Sequence, residues 1–390
     1  MDLIEFVFWI SLSIIIYTYL GYGIVLYLLV KIKRILKPAA ENYYDFNELP
    51  ELTLIVACYN EADILDEKVK NTLELSYPEK KLNLYFVTDG STDNSGEVLG
   101  KYERIRVFHT DKRGGKVAAV NRVMEFVTTP LVAFCDANTF LNAEAMVHLA
   151  RHYKNSAVGA VAGEKKIYQG DKEHAAGSGE GAYWKYESFL KRMDSELGTV
   201  VGAAGELFSV RTDLYEMVPK NIIIEDFYLS MRIVTKGYKV VYEPDAYAME
   251  TGSASTKEEE KRKIRIAAGG IQSIIKLVGL LNFFKYGIVT FQYVSHRVLR
   301  WTLTPLLLPV VIVLNYLLLG LHPFYPLLFA AQLAFYTLSL LGYALRGQKV
   351  KFKLLFIPYY FTFMNWSVYR GFLRYAGGKQ SAVWEKAKRA

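Results

Sequence analysis

Cysteine is nearly missing from this chain: 390 residues include two, Cys58 and Cys135. A disulfide framework is therefore excluded, and a cytosolic domain would keep both thiols reduced. Each lies in an apolar run, where a buried strand residue is the expected use. No internal repeat and no long low-complexity tract is present, so the chain is not a repeat array. The pattern G-x-x-x-x-G-K-[ST] is absent, which removes a P-loop. The opening MDLIE carries no basic n-region and no small-residue cleavage site follows, which favours a retained anchor over a signal peptide.

Apolar residues are abundant and bunched: hydrophobic types make up 52% of the chain, with 29 Tyr and 22 Phe. Residues 6–30 form an uncharged run long enough to cross a bilayer as a helix. Two further spans are expected at 302–320 and 324–345, divided by the uncharged turn GLHP. A fourth stretch, 354–369, is shorter and interrupted by Pro358 and Asn365. Basic segments follow the first span (KIKRILK, 31–37) and the third (RGQKVKFK, 346–353), and the tail after Arg370 is basic too. The positive-inside rule places all three on the cytosolic side. Both ends of 354–369 then face the same way, so it is expected to lie in or re-enter the interface. The hydrophilic region 38–260 is cytosolic by the same rule. The net charge of +8 comes largely from membrane-flanking segments, which suits anionic headgroups and argues against nucleic acid.

Within the hydrophilic region, strand and helix patterns alternate. LTLIVAC (52–58), NLYFVTD (83–89), RIRVFH (104–109) and PLVAFCD (130–136) read as short strands, the first without polar alternation, as expected of a strand covered on both faces. EADILDEKVKNTLEL and 114–127 read as helices between them. This order predicts a parallel, doubly wound α/β sheet, in which ligands bind at the carboxyl ends of strands. Asp89 and Asp136 fall at such ends. The region 140–260 is less regular and is assigned to the acceptor-facing half of the same domain. Residues 257–288 mix charges with apolar residues at helical spacing, and Lys276 and Lys285 favour interfacial helices over a crossing.

Each chemical motif has two readings. Tyr59-Asn60-Glu61 closes the first strand; it either stacks on and hydrogen-bonds a nucleobase or simply starts a helix. Asp89 precedes GSTDNS, where Asp93 is expected to cap the next helix, leaving Asp89 for a nucleoside. KRGGKVAAVN (112–121) offers a helix N-terminus with Lys116 in its first turn, which is either a phosphate site or a solvated loop. Asp136-Ala137-Asn138 puts two oxygen ligands at a strand end, as a hard cation with substrate phosphates requires. Glu225-Asp226 opens a helix, either complementing its dipole or supplying a general base for an acceptor hydroxyl. His148 and His152 share the i, i+4 spacing of a metal pair, yet no third ligand is near in sequence, so they read as a solvated helix face. Arg297, Arg300 and Trp301 precede a span, either as interfacial anchors or to neutralise a diphosphate and shape a pocket.

Taken together these residues resemble a membrane-integrated family 2 glycosyltransferase, the group with cellulose, hyaluronan and poly-N-acetylglucosamine synthases. The resemblance covers about residues 50–301 and implies a GT-A fold, a nucleotide-sugar donor, Mg²⁺ or Mn²⁺, and inversion at the anomeric carbon. By that resemblance Tyr59 and Glu61 hold the base, Asp89 the uridine, and Asp136 with Asn138 the metal. Asp226 matches the catalytic base and Glu225 its neighbour, while Arg297, Arg300 and Trp301 match the (Q/R)xxRW motif of processive synthases. GELFSVR (205–211) resembles an acceptor-side segment, and Trp384 and Lys386 in the tail sit where related synthases carry a gating loop. Three departures stand out: Asn138 replaces a second Asp, Glu206 stands where a small residue is usual, and Arg297 takes the variable first position of the RW motif.

The resulting expectation is an anchor (1–37), a cytosolic GT-A (Rossmann-like) domain (38–256), amphipathic interface helices with the RW motif (257–301), two transmembrane helices (302–345), an interfacial or re-entrant segment (346–373) and a basic cytosolic tail (374–390). Its function is transfer of a sugar from a nucleotide-diphosphate donor, a UDP-sugar by preference, to a growing polysaccharide. The rivals are a non-processive enzyme acting on a glycolipid acceptor and a non-catalytic sugar-nucleotide sensor or transporter component. The lipid bilayer is a partner, and with so few spans a secretion channel calls for a homo-oligomer or an export partner.

Overall fold

The computed structural model describes residues 2–37, 48–168, 175–252, 255–345 and 353–383. They fall into two compact units. One gathers Met1–Lys31, Gln169–Leu190 and Ser255–Gln380; the other gathers Ile32–Tyr168, Lys191–Ala254 and Ser381–Ala390.

The second unit is a sheet unit. Its strands are β1 (Leu52–Cys58), β2 (Leu82–Thr88), β3 (Arg106–Phe108), β4 (Leu131–Asp136), β5 (Phe140–Leu141), β6 (Val158–Tyr168), β7 (Leu207–Arg211) and β8 (Lys239–Thr251). They form one eight-stranded sheet in the order β3-β2-β1-β4-β7-β6-β8-β5. The first four strands are parallel, and the helices Ala62–Leu73, Ser95–Leu99 and Lys116–Met124 lie between them in the chain. Every residue of β1 is buried, because in a parallel sheet helices cover both faces. Cys58 and Cys135 are free and buried, as expected from their runs.

The expected all-parallel sheet is corrected on its other side. β7 runs antiparallel to both β4 and β6, and β5 antiparallel to β8, so the sheet is mixed. Apolar patterning identifies a strand but not its direction; here the chain returns from the helix Ala175–Leu197 to place β7 between β4 and β6. The region expected to be irregular holds β6 and β8, paired in parallel with register shifts at Val158/Ala160 and Gly163/Glu164. Those shifts, the charged run Glu164-Lys165-Lys166 and Pro244 hide the strand period in the sequence.

The other unit is helical. The first apolar run is one long helix, Leu3–Leu36, with a π-helical turn at Tyr17–Gly21. It and Phe324–Ala344 are long and apolar enough to cross a membrane. The expected span 302–320 is not one straight helix. Ile288–Trp301 and Leu303–Leu317 meet at a 57° bend, and only together are they long enough. Ile288–Trp301 carries a second π-helical turn, Val294–Val298. Residues 354–369 belong to a longer helix, Lys353–Ala376, that accommodates Pro358 in its interior. Phe8, Val311, Leu318 and Tyr325 form an apolar cluster in this unit. Its polar side chains are matched to one another: Tyr17 with Ser295 at 2.8 Å, Thr18 with Thr304 at 2.9 Å, and the Tyr19 hydroxyl with Asn365 Oδ1 at 2.6 Å. Such matching is required where water is scarce.

Candidate active site

The carboxyl ends of β1 and β2 build one wall of a concavity. Tyr59 follows β1, and its ring lies 3.7 Å from the Arg113 guanidinium carbon, whose Nη1 donates to the Tyr59 hydroxyl at 2.8 Å. Asp89 follows β2 and is 4% exposed. Its carboxylate accepts from the backbone N–H of Gly114 at 3.0 Å and of Gly115 at 2.6 Å. The glycines before the Lys116 helix therefore give their N–H groups to Asp89. Asp93 stands one residue before the N-cap, Asn94, of the helix it is expected to cap; its carboxylate accepts from Ser95 N–H at 3.1 Å and from Ala62 N–H at 3.0 Å. Glu61 is buried at the start of the helix Ala62–Leu73. Tyr59, Asp89, Arg113, Gly115 and Lys116 line a space of about 290 Å³, open mouth included.

The end of β4 builds the other wall. Asp136 Oδ1 accepts from Lys116 Nζ at 2.6 Å, and the same ammonium lies 2.9 Å from Glu225 Oε1. Glu225 and Asp226 open the helix Glu225–Thr235. A Cβ placed on Gly205 would lie 3.2 Å from Asp226 Oδ2 and 3.4 Å from Lys116 Nζ, so these two groups face the same backbone. Residues far apart in sequence thus meet around one lysine. Burial pushes the Asp226 carboxyl up to about 7, Glu225 adds to the rise, and Lys116 opposes it. Burial lowers the Lys116 ammonium, but Asp136 and Glu225 outweigh it, and the net shift is upward. A carboxylate that is half protonated near neutrality suits proton abstraction.

A buried lysine absent from the sequence reading supports the Asp136 turn. Lys68 is 0% exposed. Its ammonium donates to Thr139 O at 2.5 Å and lies 3.1 Å from Cys135 Sγ. Thr139 Oγ1 in turn donates to Asp136 O at 2.9 Å.

Arg297 and Arg300 gather within the helical unit on a residue that carries no motif of its own in the sequence. Glu187 is 2% exposed and pairs with Arg297 at 2.6 Å, Arg300 at 3.2 Å and His296 at 3.3 Å. Trp301 packs on Gly270. His148 and His152 are not a solvated face: both are partly buried, His152 Nε2 lies 2.6 Å from Glu243, and His148 gathers with Glu243 and Asp245. The acidic partners come from β8, beyond the reach of local spacing. Arg151 also binds Glu243, at 2.5 Å. Arg211 of the GELFSVR segment donates to the carbonyls of Val158 and Tyr153, at 2.8 and 2.7 Å. Trp384 and Lys386 lie outside the described residues.

In the sheet unit acidic residues gather around a basic helix start, and residues 53–218, which lie largely in this unit, match the family model Glycosyl transferase family 2. The chain is similar to the poly-β-1,6-N-acetyl-D-glucosamine synthase of Staphylococcus aureus (strain MSSA476), 25% identical over 240 residues that cover 59% of this chain and 57% of that one. It is similar also to the enzyme of that name from Staphylococcus epidermidis, 24% identical over 267 residues, covering 65% and 62%. The matches thus span less than two thirds of these relatives' length. The fold is GT-A. It resembles that of the mannosyltransferase PcManGT from Pyrobaculum calidifontis, solved in complex with GDP-Man and Mn²⁺, with a TM-score of 0.71, 19% identity, and 96% and 100% of the two chains covered.

Proposed function

We propose that this chain moves a sugar, with inversion, from a nucleotide-diphosphate donor to a growing polysaccharide at a membrane, and that Asp226 is the general base. The observation that carries the reading is the meeting of Asp136, Lys116, Glu225 and Asp226 at the strand ends of a GT-A sheet. Tyr59, Glu61 and Asp89 hold the base and ribose of the donor, with Arg113 stacked behind Tyr59. Lys116 balances the donor's phosphates and pairs with Glu225 beside Asp226. Asp226 takes the proton of an acceptor hydroxyl as that oxygen attacks the anomeric carbon. Arg297, Arg300 and Trp301 serve the diphosphate and the acceptor. The helices Leu3–Leu36 and Phe324–Ala344 hold the protein in the cell membrane, with the sheet unit on the cytosolic side.

A divalent cation, Mg²⁺ or Mn²⁺, fits the residues at the end of β4. Asp136 offers a hard carboxylate oxygen whose side chain is 28% exposed, and it shares Lys116 with a second acid, Glu225. Asp136 with Asn138 would hold the ion. When bound, it offsets the charge of the leaving diphosphate.

The test is to incubate membranes carrying the full chain with radiolabelled UDP- and GDP-sugars, measuring nucleotide release and product size. UDP-N-acetylglucosamine heads the panel because of the names of the similar synthases. A polymer is expected; one sugar per lipid would establish the non-processive alternative, and no release from any donor would refute the reading.

A further inference from the structure

A buried charge cluster next to the site has no part in the chemistry above. Lys165 of β6 has a fully buried side chain whose ammonium binds Glu206 at 2.6 Å and also Glu250 of β8. Burying an ammonium with two carboxylates costs desolvation energy that their attraction only partly offsets, so such clusters are poor stabilisers. The sheet has little need of this one, because β6 and β8 are already joined by a ladder that reaches Tyr168 and Thr251.

What the cluster does hold is the turn before β7. Gly202 enters it at φ +90, where a side chain would also strike the Phe227 ring. Ala203 N–H then donates to Ser230 Oγ at 3.0 Å, and Ser230 Oγ donates to Asp226 O at 2.7 Å. The turn is therefore tied at its start to the helix that carries Asp226. At its far end Glu206 is tied to Lys165. Between the two ties lies Gly205, whose backbone forms the surface against Asp226 Oδ2 and Lys116 Nζ. Leu207, the next residue, is paired with Cys135 in the sheet, so releasing the Glu206 tie loosens only the short piece of chain that borders both groups.

We infer that Lys165, acting through Glu206, is a positioning residue for sugar transfer: it clamps the turn 203–206 so that the Gly205 backbone stays against Asp226 and Lys116. The inference rests on Asp226 being the base. Glu206 touches none of the reacting atoms in this role; its carboxylate is the handle by which β6 grips the turn.

The experiment uses the full chain in membranes and the UDP- or GDP-sugar that the wild type turns over, with nucleotide release as readout. Glu206→Ala leaves Lys165 paired with Glu250, so the fold survives. It is expected to lower kcat by about 10- to 100-fold, the cost of misplacing a catalytic group by about an ångström. The donor KM changes by less than about twofold, and the melting temperature stays near that of the wild type. Glu206→Gln keeps an oxygen for the Lys165 ammonium and recovers most of the lost kcat. Wild-type kcat in Glu206→Ala overturns the inference, as does a joint fall of kcat, donor affinity and melting temperature. Equal damage in Glu206→Gln and Glu206→Ala overturns it too, because charge rather than attachment would then matter. A wild type that releases no nucleotide from any donor removes the parent reading and this one with it. An active wild type with an unimpaired Glu206→Ala removes this one alone.

Discussion

The two units solve opposite electrostatic problems. In the sheet unit, Asp136, Glu225 and Asp226 surround one ammonium, Lys116. In the helical unit, Arg297, Arg300 and His296 surround one carboxylate, Glu187. Among the described residues, the first cluster is rich in acid and the second rich in base. An imbalance of either sign is expensive away from water, which makes such groups candidates for binding a ligand of the opposite sign. A cation is the ligand of opposite sign for the first and an anion for the second, and on the proposed function these would be a metal ion and a diphosphate.

The sharpest way to break this comparison is Asp226→Asn. If the acid-rich cluster holds the base, turnover falls by about 10²- to 10⁴-fold while donor binding is kept. Nucleotide release and equilibrium binding of the donor, measured on the same preparation, check both halves; full activity would dismiss Asp226. Glu187→Ala addresses the other cluster. Removing the carboxylate strands two guanidiniums in a buried place, with an expected loss of about 3–5 kcal/mol. Thermal or denaturant unfolding of the detergent-solubilised chain measures it, and an unchanged midpoint would mean that Glu187 does not balance the arginines. Gly270→Ala is milder. Its methyl would meet the Trp301 ring 2.4 Å away, so overpacking of about 1–3 kcal/mol is expected in the same assay.

The smallest effect is a shift in pH dependence. Burial and Glu225 raise the Asp226 carboxyl to about 7, and a base works only when ionised. Activity as kcat/KM should therefore rise with pH and level off above about 7. Glu225→Gln removes a charge that opposes ionisation and should move the acid limb to lower pH. Because the folded-state value lies above the ordinary one, Asp226 stabilises the fold while protonated, and that contribution is lost as pH rises toward about 7. A pH–rate profile of the wild type beside Glu225→Gln decides the first point, and an acid limb that does not move would exclude the coupling.

Much of the sheet unit could be read in advance. β1, β2 and β4 are largely apolar runs, and Asp89 and Asp136 stand where those runs stop. The helix starts at Lys116 and Glu225 are equally legible, because a glycine pair and an acidic pair mark them. Pairing across distance is what one sequence hides. Nothing local announces that Lys116 bridges Asp136 and Glu225, or that Arg113 lies on Tyr59. Glu187 looked like any helical glutamate because its arginines come much later in the chain. Lys165 and Lys68 are hidden for a related reason: lysines are usually exposed, and only the fold shows that these two are not. Strand direction was hidden as well, since an apolar run reads the same whichever way it points.

The wide helical turns at Tyr17–Gly21 and Val294–Val298 bear on how this protein tolerates change. Each amounts to one surplus residue in a helix that otherwise keeps its regular rise, and deleting that residue would restore the ordinary winding. The regular turns beyond would keep their facing, because the wide turn had absorbed the extra residue locally. A one-residue deletion should thus be better tolerated inside these wide turns than in the regular helix beside them, where it would rotate everything beyond by about 100°.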